Sequence, residues 1–177
     1  MALLTTGRQV VVDLETLSTH ANACIVSIGA CLIEDLEIVD TFYTNVDANT
    51  CKEVGLHIEK NTLDWWAEQP QEIREAWLKN PQPLSKALLD FSAWYGNDSI
   101  PIWGYGANFD VVILESAYRA EKVIPIPWKF WDIYCLRTLM NVLDKRLPKD
   151  NNHNALDDAT AQANMLIEIL KLSLIHI

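Results

Sequence analysis

Apolar, β-branched segments crowd the first 46 residues and then give way to helical periodicity, and this switch constrains the fold more than any other feature. Residues 9–13 (Gln-Val-Val-Val-Asp) and 23–33 (Ala-Cys-Ile-Val-Ser-Ile-Gly-Ala-Cys-Leu-Ile) read as strands. Residues 38–46 follow a short acidic turn, Glu34-Asp35-Leu36-Glu37, so the chain opens with three successive antiparallel strands. Downstream, Thr62 is placed to cap a helical turn that runs to Glu68, and Pro70 separates it from a helix near residues 71–79. Leu84, Leu88, Leu89, Phe91 and Trp94 then recur at helical spacing up to Gly96. Residues 100–105 resemble a short buried strand ending in a Gly-rich turn, and helices are predicted at about residues 110–120, 131–143 and 155–171. The order βββααβααα, with no internal repeat or linker, predicts a single α/β domain over residues 1–171.

Composition supports one compact domain. With 177 residues, half of them hydrophobic and 21% charged, the chain has enough apolar surface for a core and does not have a disordered or collagenous composition. No apolar run approaches the roughly 20 residues that span a bilayer. The first residues lack a charged segment followed by a sustained apolar one, so a soluble, cytoplasmic protein is expected. Cys24, Cys31, Cys51 and Cys135 are irregularly spaced with no Cys-x-x-Cys pair, which argues for reduced thiols rather than a zinc knuckle or a disulfide framework. Residues 172–177, Leu-Ser-Leu-Ile-His-Ile, coincide with the in-frame translation of a widely used transposase sequencing adapter. They are expected to be a non-native tail, with the natural chain continuing beyond; the alternative is the apolar end of the last helix.

The net charge of −10, from 14 Lys and Arg against 24 Asp and Glu, argues against long-range electrostatic capture of nucleic acid. It leaves room for a nuclease whose acidic residues hold divalent cations, because those ions invert the local field. Asp13-Leu14-Glu15 ends the first predicted strand, and residues two apart on a strand share a face, so both carboxylates emerge side by side. Two such groups repel unless a cation lies between them. Asp-x-Glu alone is common at strand ends. Asn108-Phe109-Asp110 lies where the Gly-rich turn enters a helix, and there the plainer role for Asn108 or Asp110 is to cap that helix. His153-Asn154-Ala155-Leu156-Asp157-Asp158-Ala159 is more specific: Asp158 falls in the first turn of the last helix and His153 in the loop five residues earlier. One segment thus offers a carboxylate to a metal and, to a nearby water, an imidazole able to take a proton near neutral pH.

Together Asp13, Glu15, Asp110 and Asp158 supply four carboxylates and His153 one imidazole. Hard oxygen donors in that number suit two divalent cations, Mg²⁺ or Mn²⁺, roughly 3.5–4 Å apart and bridging a phosphate. Asp13-Leu14-Glu15-Thr16, Asn108-Phe109-Asp110 and the segment from His153 to Ala159 resemble the three motifs of the DEDDh, or DnaQ-like, exonucleases of the ribonuclease H-like superfamily. The likeness covers nearly the whole chain up to Lys171. Ile25-Val26-Ser27-Ile28-Gly29-Ala30, Phe42-Tyr43, Thr62-Leu63-Asp64-Trp65-Trp66, Trp128-Lys129-Phe130-Trp131 and Arg137-Thr138-Leu139 are most similar to the exonuclease VIII, phage exonuclease A and ribonuclease T branch, which points to a phage or prophage origin. The resemblance implies a ribonuclease H-like fold, with a central mixed sheet of three antiparallel strands and then a parallel strand, flanked by helices. It also implies that Asp13, Glu15, Asp110 and Asp158 are metal ligands, that His153 is the general base, and that mononucleotides are removed 3′→5′.

On this reading the substrate is a single-stranded 3′ end, DNA ahead of RNA, and no basic patch is evident to hold it. Thr16 and Leu17 are expected to line the pocket of the 3′ nucleotide, and Asn108 to orient substrate or cap its helix. Among seven Trp, Trp66 is the first candidate for stacking on a base. Lys145, Arg146 and Lys149 are the only basic cluster near the third motif, whereas His20 and His57 are expected to be solvated. A homodimer is expected from related enzymes. The competing readings are a non-cleaving nucleic-acid-binding module and a phosphodiesterase acting on dinucleotides or small nucleotides.

Overall fold

The computed structural model describes residues 7–147 and 153–175, without side-chain detail for 173–175. Three strands come first: β1 (Gln9–Thr16), β2 (Ile25–Glu34) and β3 (Glu37–Asn45). Helices α1 (Ala48–Glu53), α2 (Lys60–Ala67), α3 (Gln71–Ala76) and α4 (Leu84–Tyr95) follow, then β4 (Ile102–Gly104) and α5 (Asp110–Ala120). A 3₁₀ turn (Phe130–Asp132), β5 (Ile133–Cys135), α6 (Leu136–Val142) and α7 (Ala155–Ile175) complete the described elements. The strands form one sheet in the order β3-β2-β1-β4-β5, antiparallel as far as β1 and parallel from β1 through β4 to β5. This is the ribonuclease H-like mixed sheet that the resemblance implied.

Parity along β1 sorts the molecule into layers. Val10, Val12 and Leu14 join a large core with Leu84, Leu88 and Phe91 of α4 and with Val111, Leu114 and Tyr118 of α5. Val11 points the other way, into a second core with Leu136 and Met140 of α6 and Ala159, Ala163, Leu166 and Leu170 of α7. All three valines are fully buried, as a β-branched run covered on both faces requires. Asp13 and Glu15 have the parity of Val11, and therefore face α7. The small residues Ala155, Ala159 and Ala163 on α7 allow its axis to lie close to the sheet. Gly29 of β2, paired with Asp13, completes the approach: a Cβ there would lie 2.1 Å from the carbonyl carbon of Ala155.

Four features differ from expectation. The helix predicted over residues 131–143 resolves into the 3₁₀ turn, β5 and the shorter α6. Ile133-Tyr134-Cys135 is too short to show an alternating pattern, and β5 is recognisable only from its parallel pairing with β4. Thr62 is not a cap, because α2 starts at Lys60 behind Glu59; instead Thr62 Oγ1 donates to Glu59 Oε2 at 3.2 Å. α1, capped by Asp47 Oδ1 accepting from Asn49 N at 2.9 Å, was not anticipated. The last helix continues through Ile175 into the adapter-like segment. No described helix is long and apolar enough to cross a membrane.

Candidate active site

The facing of β1 and α7 brings the first and third motifs together. Asp13, Glu15 and Asp158 each present a carboxylate oxygen within 4.8 Å of the others. Asp110, the first residue of α5, reaches the same end of β1, where its Oδ1 accepts from the backbone N–H of Leu14 at 3.3 Å. Gly104 makes room for it, since a Cβ there would meet Asp110 Oδ2 at 3.1 Å. The capping role weighed for the second motif is absent: Phe109 occupies the cap position and no side chain caps α5.

The electrostatics are those of a crowded acidic site. Burial, followed by the charges of Asp110, Glu15 and Asp158, pushes the Asp13 carboxyl well above the usual range, although Gln162 Nε2 donates to its Oδ1 at 2.7 Å. Glu15 is pushed up to about 8 by burial and then by Asp158 and Asp110. Asp110 is pushed up to about 7 by burial, against the N–H of Leu14 and the charge of Arg137. Among the described residues, Asp13, Glu15 and Asp110 have no Lys or Arg within 4.0 Å. Crowded oxygen donors, three of them desolvated, fit hard divalent cations, whose positive charge would relieve the repulsion among them.

His153 stands immediately before α7 with φ +44°. Its ring meets Trp65 edge to face at 4.9 Å and Trp66 at 6.3 Å. Asn154, rather than an acidic residue, caps α7: its Oδ1 accepts from Leu156 N at 3.0 Å and from Asp157 N at 3.2 Å. Gln162 was also missed, and the available signal was its position one turn beyond Asp158 on the same helical face.

A cleft of about 450 Å³ opens beside the carboxylates, lined by Leu14, Glu15, Thr16, Trp65, Trp66 and Phe109 with polar residues of the neighbouring loops. Thr16 lies in this wall. Leu17 does not: it is buried in the core, its N–H donating to Cys24 O and its carbonyl accepting from Glu59 N, and Leu14 and Phe109 supply the apolar lining. Trp66 is only 5% exposed and its Nε1 donates to Thr16 O at 2.9 Å, so it anchors the cleft wall, while the ring with an open surface is Trp65, 40% exposed. Asn108 is exposed and lies outside the cleft lining. Of the basic cluster, Lys145 pairs with Glu168 at 2.6 Å and Lys149 lies outside the described residues. His57 is not simply solvated either, because it stacks on His20 at 4.1 Å and shares a 2.7 Å hydrogen bond with Ser18 Oγ.

A ribonuclease H-like sheet whose carboxyl edge gathers four carboxylates, with an imidazole at the start of the facing helix, defines the DEDDh class of 3′-5′ exonucleases. The chain belongs to the family described as the 3′-5′ exoribonuclease Rv2179c-like domain, whose model matches residues 8–170. Solved structures share the fold at low identity. The nuclease domain of 3′hExo bound to rAMP is 14% identical, with 93% of this chain and 92% of that one covered and a TM-score of 0.62. Exonuclease X in complex with 5′ overhanging duplex DNA is 17% identical over 93% and 92% of the two chains, with a TM-score of 0.62. Exonuclease I of E. coli in complex with a dT13 oligonucleotide is 14% identical with a TM-score of 0.65, and there the match spans 97% of this chain but 44% of that one. No curated protein sequence matches the chain.

Proposed function

We propose that this 3′-5′ exonuclease removes nucleoside monophosphates from single-stranded 3′ ends with two divalent cations, Mg²⁺ or Mn²⁺, held by Asp13, Glu15, Asp110 and Asp158. The observation that carries this reading is the convergence of those carboxylates beside a cleft with Trp65 in its wall. Bound cations would polarise the scissile phosphate and stabilise charge on the attacking and leaving oxygens. His153 takes the proton from the attacking water, and the rings of Trp65 and Trp66 pack edge-on against its imidazole. Leu14 and Phe109 pack against the terminal nucleotide, and Trp65 offers it a stacking face. Gln162 fixes the orientation of Asp13, as a hydrogen bond to a ligand does in metal sites generally.

The family description supports RNA as a substrate, against the DNA preference expected from the sequence. The neighbours include one bound to rAMP and one bound to a DNA oligonucleotide, so both sugars belong in the test. The reading includes a cytoplasmic enzyme and a homodimer, the latter checked by light scattering. The experiment is incubation of the protein with 5′-labelled single-stranded RNA and DNA of one sequence in Mg²⁺ or Mn²⁺, alongside Asp158→Ala. A ladder that shortens from the 3′ end and is absent in the variant supports the reading. Intact substrates under both metals would overturn it.

A further inference from the structure

The carboxyl ends of the parallel strands form one row across the sheet: β1 carries Asp13 and Glu15, β4 leads into Asp110, and β5 leads into Arg137. Val11 pairs with Trp103 and Gly104 with Cys135, so β4 and β5 end together about one residue short of the level of Asp13, and β1 runs on past them to Thr16. Arg137 follows a strand two positions from β1, about 10 Å across at the usual interstrand spacing. Ligands of open α/β sheets bind along this edge.

Arg137 is preorganised there. One of its terminal nitrogens donates to Tyr105 O at 2.6 Å, and its guanidinium lies over the Tyr105 ring, 4.6 Å from the centroid. Gly106 leaves space for it: at φ +109° it has no side chain where a Cβ would sit 3.1 Å from that nitrogen. Its charge is felt by Asp110. Arg137, like several other basic residues, has no carboxylate within 4.0 Å among the described residues, and what distinguishes it is its fixed stacking at this edge. In a chain with ten more acidic than basic groups, an exposed guanidinium stacked on Tyr105 and close enough to act on Asp110 stands out. Its remaining N–H groups form a planar fork that matches phosphate geometry.

We propose, on the exonuclease reading above, that Arg137 grips a non-scissile phosphate of the substrate strand, upstream of the bond cut beside β1. The overall charge of −10 repels a polyanion at long range, so the strand is held by this local contact once the metals and the cleft have engaged its 3′ end.

The test uses the full chain, wild type and Arg137→Gln, with a 5′-fluorescein single-stranded 12-mer in RNA and DNA form. Copies carrying a neutral methylphosphonate at each of the three internal phosphates nearest the 3′ end complete the set. Kinetics are read in Mn²⁺ and binding by anisotropy with Ca²⁺ in its place. Arg137→Gln is expected to raise Kd and KM by about 10- to 100-fold, the usual worth of a charge-assisted hydrogen bond, with kcat moving far less. The slope of log K against log salt should become shallower by about 0.7, the share of one phosphate contact on a single strand. Arg137→Lys should restore the slope but only part of the affinity. One methylphosphonate position should weaken wild type to the same degree and weaken Arg137→Gln no further. Unchanged affinity and slope in Arg137→Gln, or an equal additional loss at every methylphosphonate position, would overturn the proposal and leave Arg137 a clamp on the Tyr105 turn. If wild type shortens nothing, the exonuclease reading fails, and the binding measurements still decide the role of Arg137.

Discussion

Adding one methyl group at Gly29 tests how the active site is assembled. An ideal Cβ at this position would lie 2.1 Å from the carbonyl carbon of Ala155, 2.2 Å from its oxygen and 2.3 Å from the nitrogen of Leu156. Comfortable contact between such atoms begins near 3.5 Å, so Gly29→Ala must push the first turn of α7 off the sheet by roughly 1.4 Å. Asp158 belongs to that turn, and Gly29 is the cross-strand partner of Asp13, so the shift opens the carboxylate cluster at its narrowest point. A misplacement of about 1 Å at a reacting centre costs about 10²-fold in rate. Overpacking adds about 1–3 kcal/mol of destabilisation, or roughly 2–12 °C in Tm for a domain of this size. Turnover of a labelled single strand in saturating Mn²⁺, together with calorimetry, measures both effects. Because the clash is with backbone, Gly29→Ala/Ala155→Gly should be no better than Gly29→Ala. Wild-type turnover and Tm in Gly29→Ala, or rescue by Ala155→Gly, would refute the close approach.

The metal-stripped protein should lose stability as pH rises from about 5 to 8.5. Glu15 and Asp110 have folded pKa values raised to about 8 and about 7, so their contribution is complete below the unfolded value near 4 and is lost as pH climbs through the folded ones. Saturating Mn²⁺ should reverse the loss, and a Tm that is flat with pH in EDTA would contradict the crowding. Gln162→Leu removes the N–H held by Asp13 Oδ1 and should weaken Mn²⁺ activation by about 10-fold or more, read from the metal dependence of the rate. Trp66→Phe deletes the bond to Thr16 O inside the core and should cost about 1–3 kcal/mol by denaturant unfolding, the desolvation cost of an orphaned acceptor.

Much of this site is legible in the sequence because alternation along a strand is rigid. The run Val10-Val11-Val12 before Asp13-x-Glu15 already says that both carboxylates share the face of Val11; the identity of the facing element rests on α7, whose first turn carries Asp158. The cleft wall was less legible. Leu17 and Leu14 are equally apolar, and only the bulge where β1 leaves its register with β2 decides that residue 17 turns inward. Adjacent Trp65 and Trp66 cannot be ranked by composition, since their difference arises from one indole N–H finding Thr16 O. β5 was illegible because three residues carry no period, and the contact that makes them a strand comes from β4, some thirty residues earlier.

β1 occupies the middle of the sheet, hydrogen-bonded to β2 on one side and to β4 on the other, with a core against each face. Its amides around Val11 and Val12 can therefore meet deuterated solvent only when the whole sheet comes apart, and they belong to the slowest-exchanging class in the domain. The backbone that leads into Asp13 and Glu15 is thus anchored on both sides at Val10 and Val11. His153 has no such protection, because it sits outside the ladder just ahead of α7. Gentle denaturation should consequently silence the imidazole while the paired carboxylates still bind Mn²⁺, separating in time two functions that the folded domain holds side by side.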